Sequence, residues 1–287
     1  MTTTSGFQRE IEGLRVPAFL YGTAWKEDAT AECVRLALQA GFRGIDTANQ
    51  RKHYHEAGVG QAVGQAIAAG ALRREELFLQ TKFTHLGGQD HRLPYDPQAP
   101  VSAQVRQSCQ RSLQHLGVER IDSYVLHGPS VRRGLAPEDL EAWSAMEALR
   151  DEGQVRLLGV SNVTREQLEL LCRRAARPPA FVQNRCYART GWDREVRAVC
   201  RAEGIVYQGF SLLTANQREL AGPLVRDLRA RTGLTAAQLV FRFALQVGML
   251  PLTGTTDPAH MREDLAALTA APLAASDVQA LEHMDGA

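Results

Sequence analysis

The 287-residue chain carries 33 basic and 32 acidic side chains, a formal net charge of +1, with 44% apolar and 23% charged residues. That make-up belongs to a globular protein with a large core, within reach of one α/β barrel or two medium domains. The neutral balance argues against a nucleic-acid partner, no apolar run is long enough to cross a bilayer, and residues 1–13 lack the apolar stretch of an export signal.

Five cysteines, Cys33, Cys109, Cys172, Cys186 and Cys200, are odd in number, widely spaced and form no CxxC pair. The first three fall within helical patterns, where a thiol serves as a small buried hydrophobe. Reduced, structural cysteines and a cytoplasmic setting are expected.

In chain order, short apolar runs occupy residues 18–22, 44–46, 77–83, 121–127, 155–160, 181–183, 205–210 and 249–254. Each is rich in Val, Ile, Leu or Phe and lacks strict alternation, as in strands buried on both faces of a parallel sheet. Between them the 3.6-residue period returns: Val105, Cys109, Ser112, Leu113 and Leu116 line one stripe, Leu168, Leu171, Cys172 and Ala175 another. Thr164 with Gln167, and Thr235 with Gln238, have the spacing of capping boxes. Gly41, Gly117, Gly153 and Gly204 stand where helices need left-handed C-terminal residues. Eight strand–helix units without a linker predict a single (β/α)₈ barrel over residues 1–287. Residues 84–100, with three prolines and two glycines, follow a strand and are expected to form an active-site loop. A short tail, 270–287, should hold a capped helix beginning at Ser276 and leave the site open to varied substrates.

Chemistry in a barrel belongs at the carboxyl ends of the strands. Asp46, Lys82 and His127 end the second, third and fourth strands, each after apolar residues, and Tyr54 follows Asp46 in its loop. A lone strand-end Lys or Asp is ordinarily solvated surface, whereas three ionisable residues closing three strands point to a site.

From Gly22-Thr23 to about Leu265 the chain resembles the aldo-keto reductase family. The resemblance is carried by Ile45-Asp46-Thr47-Ala48, Gln80-Thr81-Lys82, Leu126-His127-Gly128-Pro129, Gly159-Val160-Ser161-Asn162 and Val182-Gln183-Asn184 in that order. It implies an NADP-dependent oxidoreductase of CH–OH groups. Such an enzyme reduces small aldehydes or ketones with NADPH, NADH remaining open, and works as a monomer or weak homo-oligomer. It also implies a catalytic tetrad of Asp46, Tyr54, Lys82 and His127. Many members place the tyrosine closer to the aspartate; here eight positions separate them, as in a branch with a longer loop.

The implied roles make physical sense. Hydride addition to a carbonyl leaves an alkoxide that needs a proton. A phenol of pKa ~10 is a weak donor at neutral pH, and an adjacent ammonium is expected to lower it. Lys82 would supply that charge, Asp46 would hold Lys82, His127 would orient the carbonyl oxygen, and Tyr54 would be the general acid.

The resemblance further implies a dinucleotide site. Ser161, Asn162 and Gln183 would meet the nicotinamide carboxamide, and Phe210 would stack on its ring in place of the usual tyrosine. Ser211, Leu212 and Thr214 would hold the pyrophosphate. Gly22 and Thr23, and Thr253, Gly254, Thr255 and Asp264, would also belong to the cofactor site. Asp257 and Pro258 read as N-cap and first residue of a helix whose amides suit a phosphate. The family's lysine and arginine for a 2′-phosphate are missing: Leu252 and Thr253 stand near the first, His260 replaces the second, and Arg262 is a substitute.

Gly58-Val59-Gly60-Gln61-Ala62-Val63 imitates a Rossmann fingerprint but has Val63 at its third glycine and no strand before it. Two rivals stay open: a nucleotide-binding redox sensor or regulatory subunit without turnover on the same barrel, and a metal-dependent barrel hydrolase built on His53, His55, Lys82 and His127. The second lacks the ligand count, and no metal is expected.

Overall fold

A computed structural model describes residues 9–284. Residues 1–8 and 285–287, which include part of the leader and tail segments considered above, lie outside them. Eight parallel strands close a barrel: β3 (Leu20–Gly22), β4 (Gly44–Asp46), β5 (Phe78–Phe83), β6 (Ile121–Leu126), β7 (Val155–Ser161), β8 (Phe181–Arg185), β9 (Val206–Phe210) and β10 (Leu250–Thr253), with β10 pairing back onto β3. Each expected apolar run is one of these strands. An antiparallel hairpin, β1 (Arg9–Ile11) and β2 (Leu14–Val16), precedes them and was not anticipated. Leu14 and Val16 pack with Leu20, Phe78, Phe181, Val206 and Leu250, so the hairpin plugs the amino end of the barrel.

The helices around the barrel begin and end as their sequences direct. Thr164 caps α5 (Arg165–Arg174) and Thr235 caps α9 (Ala236–Gln246), each with the reciprocal glutamine bond. Gly41, Gly117 and Gly204 adopt left-handed conformations behind α1 (Thr30–Ala40), α3 (Val101–Leu116) and α6 (Arg194–Glu203). The tail helix, Ala275–Glu282, departs from expectation: it starts one residue before Ser276, and its N-terminal neighbour Ala274 offers no side-chain cap. Its hold is tertiary instead, since Leu281 is buried and its carbonyl accepts a hydrogen bond from Trp192 Nε1 at 2.7 Å.

One glycine sets a helix–helix distance. A Cβ at Gly60, in α2 (Glu56–Ala68), would stand 1.9 Å from the carbonyl oxygen of His115 in α3. Gly60→Ala is therefore expected to push the two helices apart and cost about 1–3 kcal/mol of stability. Denaturant unfolding at wild-type midpoint and slope would refute this account of the contact.

Inside the barrel the strands stack chemistry in layers. On β5 the inward residues ascend from Phe78 through Gln80 to Lys82, from the apolar floor to an amide to an ammonium. Gln80 exchanges hydrogen bonds with Gln208 (2.8 and 2.9 Å) and accepts one from Ser123 Oγ at 2.8 Å. The amide nitrogens of Gln80 and Gln183 both donate to Asp46 Oδ1, at 2.7 and 3.0 Å. This satisfied middle layer carries a carboxylate upward to the mouth, as a buried charge requires.

Candidate active site

Above that layer Lys82, wholly buried, donates to Asp46 Oδ1 (2.6 Å), Asp46 Oδ2 (2.7 Å) and the Thr47 carbonyl (2.8 Å). An ammonium has three hydrogens, so all are committed. Its nitrogen stands 5.3 Å from the centre of the Tyr54 ring, and the rings of Tyr54 and His127 meet edge to face at 5.8 Å. The three strand-end residues and Tyr54 thus converge at the carboxyl mouth although Tyr54 lies eight positions beyond Asp46 in sequence. The longer loop is held by Tyr54 N and His53 N, which donate to the Gln50 carbonyl at 3.0 and 3.1 Å.

One electrostatic expectation is corrected. The Tyr54 hydroxyl is not brought toward neutral pH; burial, then the charge of Asp46, push its pKa above the ordinary value. Asp46 clasps Lys82 with both oxygens, so the phenol senses a nearly neutral pair rather than a free cation. Burial also lowers the Lys82 pKa while Asp46 opposes that shift. His127 is driven down to about 3, first by burial and then by the charge of Lys82, so its imidazole is neutral at physiological pH. Its Nδ1 lies 2.7 Å from Thr84 Oγ1, leaving Nε2 as the other ring nitrogen. From the segment 84–100, Thr84 and Tyr95 back this histidine: the Tyr95 hydroxyl donates to the Thr84 carbonyl at 2.7 Å. That segment contributes no lining residue to the cavity described next.

The tetrad mouth opens into a cavity of about 640 Å³. Tyr54, His127 and Asp46 line it, with Ser161, Asn162 and Gln183 beyond them, then Phe210, Ser211, Leu212 and Thr214. Gly22, Thr253, Gly254, Thr255, His260 and Asp264 also belong to the lining. Three expected residues are absent from the lining: Lys82, enclosed at 0% exposure behind Asp46, and Thr23 and Arg262. Thr23 is buried, donating through its amide and hydroxyl to the Asp46 carbonyl at 3.0 Å, so it ties β3 to β4. Arg262 lies on the exposed face of α10 (Pro258–Ala266), pointed away by its place in the helical period.

Local structure presents these groups. Ser161 Oγ donates to the Gln183 carbonyl at 2.6 Å, and Asn162, in a left-handed conformation, donates to the His127 carbonyl at 2.8 Å. Ser211 is left-handed as well, and buried Asn216 ties its loop to the one after β8 through the Leu212 and Cys186 carbonyls. Asp257 accepts from the Ala259 amide at 2.6 Å, capping α10 as its sequence indicates. Burial holds the carboxyl of Asp264 up at about 6, and it accepts from Thr253 Oγ1 at 2.7 Å.

Several participants were silent in the sequence. Gln208 gave no signal beyond being polar within an apolar strand, Gln80 figured only as part of a motif and Thr84 only as the start of a loop, with no role for either side chain. Trp25 and Lys26, in the loop after β3, also line the cavity. Trp25 is 71% exposed, and its ring lies 4.0 Å from that of His53. His53 thus lies against Trp25 with its ring tilted, and His55 Nδ1 faces the Glu27 carbonyl at 3.3 Å; among the described residues no group of three or more His, Cys, Asp or Glu is placed to hold a metal. No helix is long and apolar enough to cross a membrane among those residues.

Comparison with known proteins agrees with this geometry. An aldo-keto reductase of Mycobacterium avium is 32% identical over 252 residues, 88% of this chain and 80% of that protein. An uncharacterized oxidoreductase of Bacillus subtilis is 28% identical, covering 88% and 83%. Among solved structures, a Bombyx mori aldo-keto reductase in complex with NADP shares 25% identity at a TM-score of 0.80, covering 96% of this chain and 92% of that one. A Brucella melitensis aldo/keto reductase shares the fold at a TM-score of 0.81 and 24% identity, covering 96% and 98%. The model of the Aldo/keto reductase family matches residues 19–285, and with the barrel, the residues gathered at its mouth and these relatives in agreement, the chain belongs to that family of oxidoreductases.

Proposed function

We propose that this protein reduces small aldehydes and ketones to alcohols with a nicotinamide dinucleotide, NADPH in first place, and that Tyr54 is the proton donor. The observation that carries this reading is the Lys82 ammonium, anchored on both Asp46 oxygens and standing 5.3 Å from the Tyr54 ring at the floor of the cavity.

The residues present fit such a cofactor. Gln183 spends its amide hydrogens on Asp46 and Gln208 (3.0 and 2.9 Å), so Oε1 is the atom left to accept from a carboxamide. Asn162 likewise donates to His127 and Ser161 and keeps Oδ1 as an acceptor. Phe210 offers a ring face, and residues 211–214 and 253–256 offer backbone and hydroxyl groups along an elongated wall. When bound, the reduced nicotinamide supplies the hydride.

The chain's own residues do the rest. With Thr84 donating to Nδ1, neutral His127 presents Nε2–H to a carbonyl oxygen and polarises it. Tyr54, protonated throughout the physiological range, holds its proton until an oxygen more basic than a phenolate appears beside it. The alkoxide formed by reduction is such an oxygen. Lys82 is the cation nearest the nascent phenolate; Asp46 balances most of its charge, and the attraction that remains acts only as charge develops on Tyr54, in the transition state rather than the ground state.

The test is a panel of aldehydes and ketones assayed by nucleotide absorbance with NADPH and with NADH. Turnover of at least one carbonyl class, without added metal, is expected. Tight nucleotide binding with no turnover across the panel would overturn the reading in favour of a sensor.

A further inference from the structure

Glu56 is a buried carboxylate that the chemistry above leaves unused. It opens α2 two positions after Tyr54 and is 3% exposed. Both of its oxygens are committed. Thr81 Oγ1 donates to Oε1 in a short hydrogen bond, and Nδ1 of His115 stands 2.8 Å from Oε2. His115 lies in the last turn of α3, its side chain part-exposed, whereas Thr81 is wholly buried. One carboxyl group thus joins three elements: the start of α2, strand β5 and the end of α3.

Side chains alternate along a strand. On β5, Phe78, Gln80 and Lys82 face the barrel interior, while Leu79, Thr81 and Phe83 face outward, Leu79 and Phe83 packing in the core beneath the helices. Thr81 therefore stands next to Lys82 on the opposite side of the strand. The residue that Glu56 grips is the chain neighbour of the ammonium, and only His55 separates Glu56 from the phenol. Burial lowers the Lys82 pKa; Asp46 opposes that shift first and the charge of Glu56 opposes it as well, so the carboxylate lies within electrostatic reach from behind the barrel wall.

The loop that carries Tyr54 is tied to the same strand on its other side, where the Asn49 amide donates to the Lys82 carbonyl at 3.2 Å. Tyr54 stands between these two attachments to β5. An apolar side chain at position 56 would pin α2 to the barrel without the desolvation that a buried charge brings. A carboxylate with two directional partners also fixes the height along β5 at which the helix begins. We infer that Glu56 is a positioning residue for proton transfer, its bond to Thr81 setting where the Tyr54 hydroxyl stands relative to Lys82. This rests on the reductase reading above, with Tyr54 as its acid.

The test is single-turnover reduction of a carbonyl that the wild type accepts, in Glu56→Ala, Glu56→Gln, Thr81→Val and Thr81→Ser, alongside calorimetric NADPH affinity. A shift of about 1 Å at a reacting group costs on the order of a hundredfold, so Glu56→Ala and Thr81→Val should lose roughly tenfold to a hundredfold in transfer rate. Nucleotide affinity should not change, because neither residue lines the cavity. Glu56→Gln can still accept from Thr81 and donate to a neutral His115, and Thr81→Ser keeps the hydroxyl, so both should retain most of the rate. With NADPH deuterated at the transferred position, the isotope effect on kcat in the slow variants should be no smaller than in the wild type. A smaller one, the mark of a slowed release step, overturns the inference. Thr81→Val removes one hydroxyl at nearly constant volume and carries the test if Glu56→Ala does not fold, folding being judged by near-ultraviolet circular dichroism. Wild-type transfer in folded Thr81→Val overturns the inference while leaving the reductase reading intact. Equal loss in Glu56→Gln and Glu56→Ala does the same, since the effect would then lie in the charge and not in the anchor. A wild type that turns over no carbonyl overturns both.

Discussion

Tyr54→Phe is expected to lower kcat for carbonyl reduction roughly 100- to 10,000-fold, the span that a positioned general acid contributes. The ring's other contacts survive the change, because the edge-to-face approach to His127 and the position over Lys82 involve the ring and not the hydroxyl. Nucleotide affinity should therefore stay at its wild-type value, which separates loss of the acid from collapse of the cavity. The pH dependence adds a second check. Burial and Asp46 raise the Tyr54 pKa, so the donor form persists above the ordinary phenol range. His127, down at about 3, stays neutral as pH falls through the range where a free histidine would charge. The wild-type kcat should thus be nearly flat across neutral pH, with no limb at the free-histidine value. A variant with wild-type turnover, or a limb near neutrality that vanishes in His127→Gln, would reassign the proton donor.

The barrel was legible because its strands are buried on both faces and read as apolar runs, while the capping threonines and C-terminal glycines mark where helices start and stop. Asp46, Lys82 and His127 were legible for a related reason: a charge at the end of an apolar strand has few structural uses. What escaped depends on partners distant in sequence. Thr84 gains meaning only from a histidine 43 positions away, and Gln208 only from Gln80, 128 positions away. The plugging hairpin was missed because strands of three residues leave no periodicity to read. The direction of the Tyr54 shift went wrong for an energetic reason. Residue types announce an ammonium beside a phenol, but only geometry shows that both oxygens of Asp46 already balance that ammonium. Arg262 was a matter of helical phase, one position away from Met261, which faces the core with 0% exposure.

Lys82→Met carries the other large effect, and it strikes stability as well as turnover. The wild-type pair sits over a barrel interior in which Asp46 is 3% exposed and Lys82 0%. Removing the ammonium leaves Asp46 with the neutral amides of Gln80 and Gln183 as its remaining side-chain donors. Breaking a buried pair from one side typically costs about 3–5 kcal/mol, because the surviving charge keeps its desolvation penalty without its partner. Turnover should fall with it, since nothing then faces the phenolate as it forms. Stability and catalysis can be pulled apart with the double variant Lys82→Met with Asp46→Asn. It removes both charges at nearly constant volume and should recover much of the lost stability, yet none of the activity. The deficit of the single variant should also shrink on acidification, as the orphaned carboxylate takes up a proton. If the double variant were instead as unstable as Lys82→Met, the cost would lie in packing rather than in an uncompensated charge. If it recovered turnover along with stability, the ammonium would have no part in the chemistry, and the proton-transfer role assigned to the tetrad would fall with it.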